Sequence, residues 1–261
     1  MKIFIHITVF IFLAVTAKGQ TEPINLKELG LRGRIKKITL YEYYSNPKET
    51  EVDSFRKPGK TEIMIFGEKG NEQSDVDFTP DGIEGNKTLI NYEDKDKITA
   101  KLFYQKKLML NFVFKYDSTG KRVNFEEYDS PNAVLVRVTY KYDGNGNLIE
   151  DDTYDSLNGN SKTIYSYNSG NQITETNISY EGSQGVDKTL FKYSTEGYLI
   201  ETVSRGDIVD ISDGTTIVKY TNFDKYGNWL LANSEQIYKI PLLHNLNHHK
   251  TIIKRVITYF D

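Results

Sequence analysis

Apolar side chains recur along this chain at period two. Leu110, Phe112, Phe114 and Tyr116 alternate with other residues, as do Val138, Tyr140 and Tyr142, and Thr189, Phe191 and Tyr193. Successive side chains of an extended strand point to opposite faces, so each stretch sets one apolar stripe and predicts a β-strand. Each stripe ends at an aromatic residue followed by a polar turn. The pattern is Phe114-Lys115-Tyr116-Asp117-Ser118-Thr119-Gly120, then Tyr140-Lys141-Tyr142-Asp143-Gly144-Asn145-Gly146, then Phe191-Lys192-Tyr193-Ser194-Thr195-Glu196-Gly197, then Phe223-Asp224-Lys225-Tyr226-Gly227. Tyr165-Ser166-Tyr167-Asn168-Ser169-Gly170 reads as a further copy with its turn one residue shorter. An Asp or Asn opening such a turn hydrogen-bonds its own backbone, and the glycine accepts the positive φ that closes a short hairpin loop.

With Phe66 and Tyr92 added, the aromatic anchors fall at 66, 92, 116, 142, 167, 193 and 223. A unit of roughly 25 residues holds two strands and two turns, the size of one hairpin, so seven hairpins account for most of the chain. Second strands follow each turn, at Arg122 to Tyr128, Asn147 to Tyr154, Gln172 to Tyr180, Tyr198 to Val203 and Asn228 to Ser234. The returning links Asp155 to Asn160 and Glu181 to Asp187 are rich in Gly, Asn and Ser and vary in length, which places them in loops at the opposite end. Gly33 to Tyr44 predicts an opening strand after a single helical turn at Leu26 to Leu29. Thr251 to Phe260 predicts a last strand that pairs with Trp229 to Tyr238, across a turn holding Pro241 and the histidines, and caps the array.

The predicted fold is therefore all-β: an antiparallel meander of repeated hairpins in one twisted sheet, curling into a partly closed trough or sandwich to hide its aromatic face. Charged side chains such as Lys95, Lys97, Lys101, Lys254 and Arg255 are expected to protect its free edges.

Composition adds a compartment. Residues 1–19 read as a secretory signal peptide, with Lys2, an apolar stretch from Ile3 to Val15, and small residues at Ala14, Ala17 and Gly19. Cleavage after Ala17 and after Gly19 fit equally. Residues 20–261 then form a single β-repeat domain, with the clearest repeats at 110–235 and a closing hairpin at 228–260. The chain is expected to be exported, to the periplasm or the outside of the cell. Removing Lys2 and Lys18 leaves 31 basic against 36 acidic residues, which argues against a partner recognised by neutralising phosphates, so no nucleic acid is expected. With no cysteine in the chain, disulfides, a thiolate nucleophile and a lipidated cysteine are all excluded, and packing alone must stabilise it.

The Tyr-Lys-Tyr-Asp-Gly-Asn-Gly-Asn-Leu-Ile-Glu run at 140–150 and its echo Asp224-Lys225-Tyr226-Gly227-Asn228-Trp229 resemble the YD or RHS-type repeat of secreted bacterial proteins, over about residues 110–235. Leu31-Arg32-Gly33-Arg34-Ile35-Lys36-Lys37-Ile38 and the Asn228-Trp229 strand resemble short exported Bacteroidetes-type proteins that carry such repeats. In large members the repeats wind into a β-shell that encloses a toxin or presents a binding surface. This chain has too few repeats for such a shell, no self-cleaving core and no toxin domain, so the resemblance implies hairpin architecture and no activity.

Candidate chemistry is sparse. Tyr128, Tyr154, Tyr180, Tyr198 and Trp229 lie near turns and form the candidate binding set, since aromatic faces stack on sugar rings; the competing role of such residues is core packing. His244, His248 and His249 have no Asp, Glu or Cys between residues 236 and 260, and read as a solvated loop rather than a metal site. Asp143, Asn145 and Asn147 begin like a calcium loop, but the twelfth position is Tyr154, and a hairpin turn explains them better. Glu126, Glu127, Glu150, Asp151, Asp152, Glu175 and Glu201 offer carboxylates for glycoside hydrolysis, yet they recur at the same place in successive repeats, as a solvated strand face does. No Gly-x-Ser-x-Gly nucleophile turn occurs.

An outer-membrane barrel fits poorly, because the stripes opposite the aromatics are full of Lys, Asp, Glu and Asn where a lipid-facing band should be apolar. The sequence therefore points to a non-enzymatic envelope or secreted binding and scaffold protein, with no cofactor and no metal, whose partner is a surface glycan or another envelope protein. A carbohydrate-active hydrolase and an immunity protein for a secreted toxin are the alternatives.

Overall fold

The computed structural model describes residue 26 and residues 30–45, 57–94, 97–129, 133–206, 213–239 and 246–261. The signal-peptide segment, most of the helical turn expected at 26–29, and Lys95, Pro241 and His244 lie outside them. Sixteen strands are present among the described residues: β1 (Ile35–Ser45), β2 (Lys60–Phe66), β3 (Glu72–Phe78), β4 (Glu84–Asp94), β5 (Lys97–Tyr104), β6 (Lys107–Tyr116), β7 (Arg122–Asp129) and β8 (Val134–Tyr142), followed by β9 (Leu148–Asp155), β10 (Ser161–Tyr167), β11 (Ile173–Tyr180), β12 (Val186–Tyr193), β13 (Leu199–Arg205), β14 (Gly214–Phe223), β15 (Trp229–Lys239) and β16 (Leu246–Tyr259). Each pairs antiparallel with its sequence neighbours.

The sheet closes completely. β1 pairs with β16 from Ile35 opposite Tyr259 to Ser45 opposite Lys250, making one 16-stranded barrel. This corrects the partly closed trough. The last strand joins the first rather than capping an open array, and Lys97, Lys101, Lys254 and Arg255 sit within paired strands instead of guarding edges. A sheet with unpaired outer strands exposes a row of backbone donors and acceptors, and closure removes both edges at once. His248 and His249 belong to β16, opposite Ile237 and Gln236, and not to the preceding turn.

The turns follow the local chemistry read from the sequence. Asp143 Oδ1 accepts hydrogen bonds from the N–H groups of Asn145 (2.9 Å) and Asn147 (2.8 Å), and Gly146 N donates to Asp143 O (3.1 Å). Asp117, Asn168 and Asp224 repeat the arrangement. Gly146 has φ 90°, the left-handed region that costs an L-residue about 1–2 kcal/mol. The turn after Tyr167 is not shorter than the others. Asn171, at φ 59°, occupies the place glycine takes elsewhere, three residues after the opening Asn168, because asparagine tolerates that conformation better than most residues.

Register and burial define the two faces. The inward row carries two apolar clusters. Ala100, Phe112, Phe114, Phe125 and Val138 pack together on β5 to β8, with Phe114 and Phe125 ring centroids 5.1 Å apart. Leu26, Leu31, Ile35, Ile38, Leu40, Met64, Phe66, Trp229 and Ala232 form the second, near the chain ends. Between them the inward row of β9 to β13 is mixed, with Asp151, Thr153, Thr163, Asp187 and Thr202 buried beside Tyr165 and Ile173.

The amino-terminal segment fastens the closure. Arg32 N donates to Asn228 Oδ1, and Asn228 Nδ2 donates back to Arg32 O, both at 2.8 Å. Phe260 N donates to Arg34 O at 2.7 Å. The two motifs quoted from opposite ends of the sequence therefore meet across this seam.

Candidate functional site

Several of the tyrosines at the ends of stripes act first as ties between hairpins. Tyr92, Tyr142 and Tyr167 donate their hydroxyls to the backbone carbonyls of Glu72, Arg122 and Leu148, at 2.6, 2.8 and 2.8 Å. Each bond reaches back about one repeat. In the last copy the anchor is Phe223, which has no hydroxyl, and Tyr220 supplies the bond instead, to Leu199 O at 2.9 Å. Burial pushes the Tyr167 hydroxyl up to about 12, consistent with a phenol fixed as a donor.

The five candidate binding residues do not form one platform. Trp229 is buried between the Tyr220 ring, 5.3 Å away, and the Arg255 guanidinium, 3.5 Å above its own ring. Tyr198 packs against Tyr220 and Phe223 and donates to Gly227 O at 2.7 Å. Both belong to the packing of the turn end. Tyr180 pairs with Ser161 in the inward row, where burial and then Asp187 raise its hydroxyl. Tyr128 lies on the outer face with its hydroxyl donated to Glu126 at 2.7 Å. Only Tyr154 presents a largely open ring, 48% exposed.

The outer face is organised by charge. Even-numbered strands from β6 to β12 carry Lys or Arg, and odd-numbered strands from β7 to β13 carry Glu or Asp. Glu126 on β7 accepts from Lys115 on β6 (3.4 Å) and Arg137 on β8 (2.9 Å). Glu150 on β9 lies between Lys141 and Lys162, the second at 3.1 Å, and Asp152 is 3.3 Å from each. Glu175 pairs with Lys188 at 3.0 Å and Glu201 with Lys192 at 3.2 Å. Lys141 and then Lys162 hold the Glu150 carboxyl below its ordinary range, and Tyr128 does most to lower Glu126. The recurrent carboxylates read as hydrolase candidates therefore divide. Glu126, Glu150, Asp152, Glu175 and Glu201 lie in this paired belt, while Asp151, which accepts from Tyr165 at 2.6 Å, and Glu127 lie in the inward row. A general acid needs a raised carboxyl; Glu150 and Glu126 have the opposite, and Glu127, raised by burial and then by Asp155, faces inward, away from the belt carboxylates.

Two further features were not visible in the sequence. On the inward faces of β1 to β3, Glu42, Glu62, Asp75 and Asp77 surround Lys60, which lies 3.4 Å from Glu62 and 3.9 Å from Asp77. Asp75 Oδ1 is closed to solvent with no hydrogen-bond partner among the described residues. Burial raises the Glu42, Glu62 and Asp75 carboxyls, and nearby Lys60 counteracts it in part. No group of three His, Cys, Asp or Glu side chains suited to a metal ion occurs among the described residues.

The second feature is an open groove of about 500 Å³ on the outer face of β8 to β11, where Tyr154 meets Arg137, Asp152, Asn160, Lys162 and Glu181. Its floor comes from strands and its rim from the links at 155–160 and 181–185. The only sequence signal for it was that these links vary.

No protein-family model and no curated protein matches the chain. Solved structures do match. A porin-like protein from Bacteroides uniformis shares 12% identity with a TM-score of 0.54, covering 86% of this chain and 96% of its own. The TcdB2-TccC3-Cdc42 complex and TcdB2-TccC3 without its hypervariable C-terminal region align over 78% and 75% of this chain and 14% of theirs. Their identities are 13% and 11% and their TM-scores 0.32 and 0.33, below the level at which folds are alike. The first likeness is one of fold: this chain is an antiparallel β-barrel similar to that of the porin-like protein.

Proposed function

We propose that this chain is an exported barrel with water on its outside, serving without catalysis as a binding and scaffold module in the cell envelope or beyond it. The charged belt carries the reading. A lipid-facing Lys or Arg at the bilayer midplane costs about 2–4 kcal/mol, and a membrane barrel instead presents an apolar band there. Here Glu126, Arg137 and Asp152 occupy mid-strand positions on the outer face, within ion pairs that run strand to strand. The paired carboxylates support a non-catalytic role, and the YD-like turns support kinship with secreted repeat proteins. The partner is a surface glycan or another envelope protein.

The test is solubility without lipid. Chain from residue 20 onward is expected to refold in detergent-free buffer, unfold cooperatively, and remain in the aqueous phase when a detergent solution is warmed to phase separation. Folding only with detergent or lipid, together with recovery in the detergent phase, would replace this reading with a membrane-embedded, porin-like barrel.

A further inference from the structure

We infer that the outer groove over β8 to β11 is a binding site for a neutral saccharide, a proposal that rests on the water-facing reading above. Tyr154, nearly half exposed, gives the amphipathic ring on which the apolar face of a sugar stacks. Around it stand the side chains that make paired hydrogen bonds to neighbouring hydroxyls: Arg137, Asp152, Asn160 and Glu181.

These groups are held in place before any ligand arrives. Asn160 Nδ2 donates to Glu181 Oε2 at 2.6 Å, joining the two rim links, and Glu181 N donates to Asn160 O at 2.9 Å. Arg137 Nε donates to Glu126 at 2.9 Å, and Lys162 bridges Glu150 and Asp152. Fixed polar groups lose little freedom on binding, which favours a weakly hydrophobic ligand such as a sugar.

Charge decides the class of saccharide. The two cations of the groove face its two carboxylates, and both cations are engaged by belt acids, so no net positive field remains to select a uronate or a phosphorylated sugar. The size falls within the roughly 300–1,000 Å³ of small-ligand sites, and the open form admits a segment of a longer chain. Of the four candidate tyrosines and one tryptophan, Tyr154 and Tyr180 line the groove, and Tyr154 alone has the exposed ring that stacking needs.

The experiment immobilises mannan, a soluble β-glucan, dextran and chitin oligosaccharides as neutral probes, with polygalacturonate as the acidic probe. Folded wild-type protein is expected to be retained saturably on at least one neutral probe and not on polygalacturonate. Tyr154→Ala is expected to weaken that retention by about tenfold, the loss of one stacked ring. Asn160→Ala is expected to weaken it as well, and Tyr104→Ala, an equally exposed tyrosine on β5, to leave it unchanged. Thermal melts confirm that each variant is folded. Retention on none of the neutral probes, preference for polygalacturonate, or binding indifferent to both groove substitutions overturns the site. Those results leave a water-soluble barrel standing, whereas detergent-phase partition would remove the barrel reading itself.

Discussion

The inner surfaces of β5 to β8 and of β9 to β13 are built on the same repeat and filled differently, the first with aromatic rings and the second with a larger share of polar groups. On the first, Phe112, Phe114, Phe125 and Val138 pack ring to ring. On the second, most of the buried positions are polar, Asp151, Thr153, Thr163, Asp187 and Thr202, with Tyr165 and Ile173 set among them. Turns of the same kind serve both halves, with Asp117 and Asp143 accepting backbone N–H groups in one and Asn168 in the other. Outer ion pairs link β6 through to β10 and again β11 through to β13, so they serve both halves. The comparison teaches that the turns and the belt specify the hairpin array, while the inner row is free to be dry or polar.

The sharpest way to break the comparison is truncation in each half. Phe114→Ala should destabilise the barrel by about 3–5 kcal/mol, since it leaves a cavity under fully buried neighbours. Thr163→Ala should cost about 1 kcal/mol. Urea unfolding with unchanged slopes measures both, and equal losses would mean that the polar half is packed as tightly as the aromatic one.

A smaller effect tests whether the polar half is held by specific bonds. Tyr165 donates to the buried Asp151, so Tyr165→Phe should cost about 1.5–3 kcal/mol by leaving a buried carboxylate with one bond fewer. The same denaturation series reads it, and a neutral result would place water where the structure has the hydroxyl.

The smallest effect at any single pH, visible as a slope, concerns the acidic patch on β1 to β3. The folded-state carboxyls of Glu42, Glu62 and Asp75 lie above their ordinary range, so the folded state binds more protons than the unfolded chain there. Their contribution is then fully present below the ordinary carboxylate range and is lost as pH rises through the raised values. Asp75→Asn should flatten that decline and raise the unfolding midpoint at neutral pH. A steeper decline in the variant would show that Asp75 is needed as an anion beside Lys60.

What the sequence made legible was what is local. Asx turns, the period-two stripes and the spacing of the aromatic anchors depend on a few adjacent residues, and six of the seven predicted turns bring their aromatic anchor to the end of a strand. The exception in detail, Asn171 standing in for glycine, came from reading residue type where backbone conformation decides. Closure was not legible, because Ile38 and Ile257 are paired through the register of fourteen intervening strands and no short segment encodes it. The groove was hidden for the same reason: Arg137, Asp152 and Lys162 become neighbours only through cross-strand register. Trp229 is buried under Arg255 from the predicted partner strand, because the pairing was legible while the face each side chain takes was not.

The seam between the first and last strands also fixes an order of events. Lys37 meets Thr258 across more than two hundred residues, and nothing at the amino end can stand in for that partner. Lengthening a closing loop costs little at equilibrium, about 0.6 kcal/mol for each doubling, but it delays the contact. A chain made amino end first must therefore keep β1 waiting, with one side unpaired, until the fourteen-residue β16 emerges. Hairpins between can form as they arrive, whereas the ring is sealed only when β16 reaches β1.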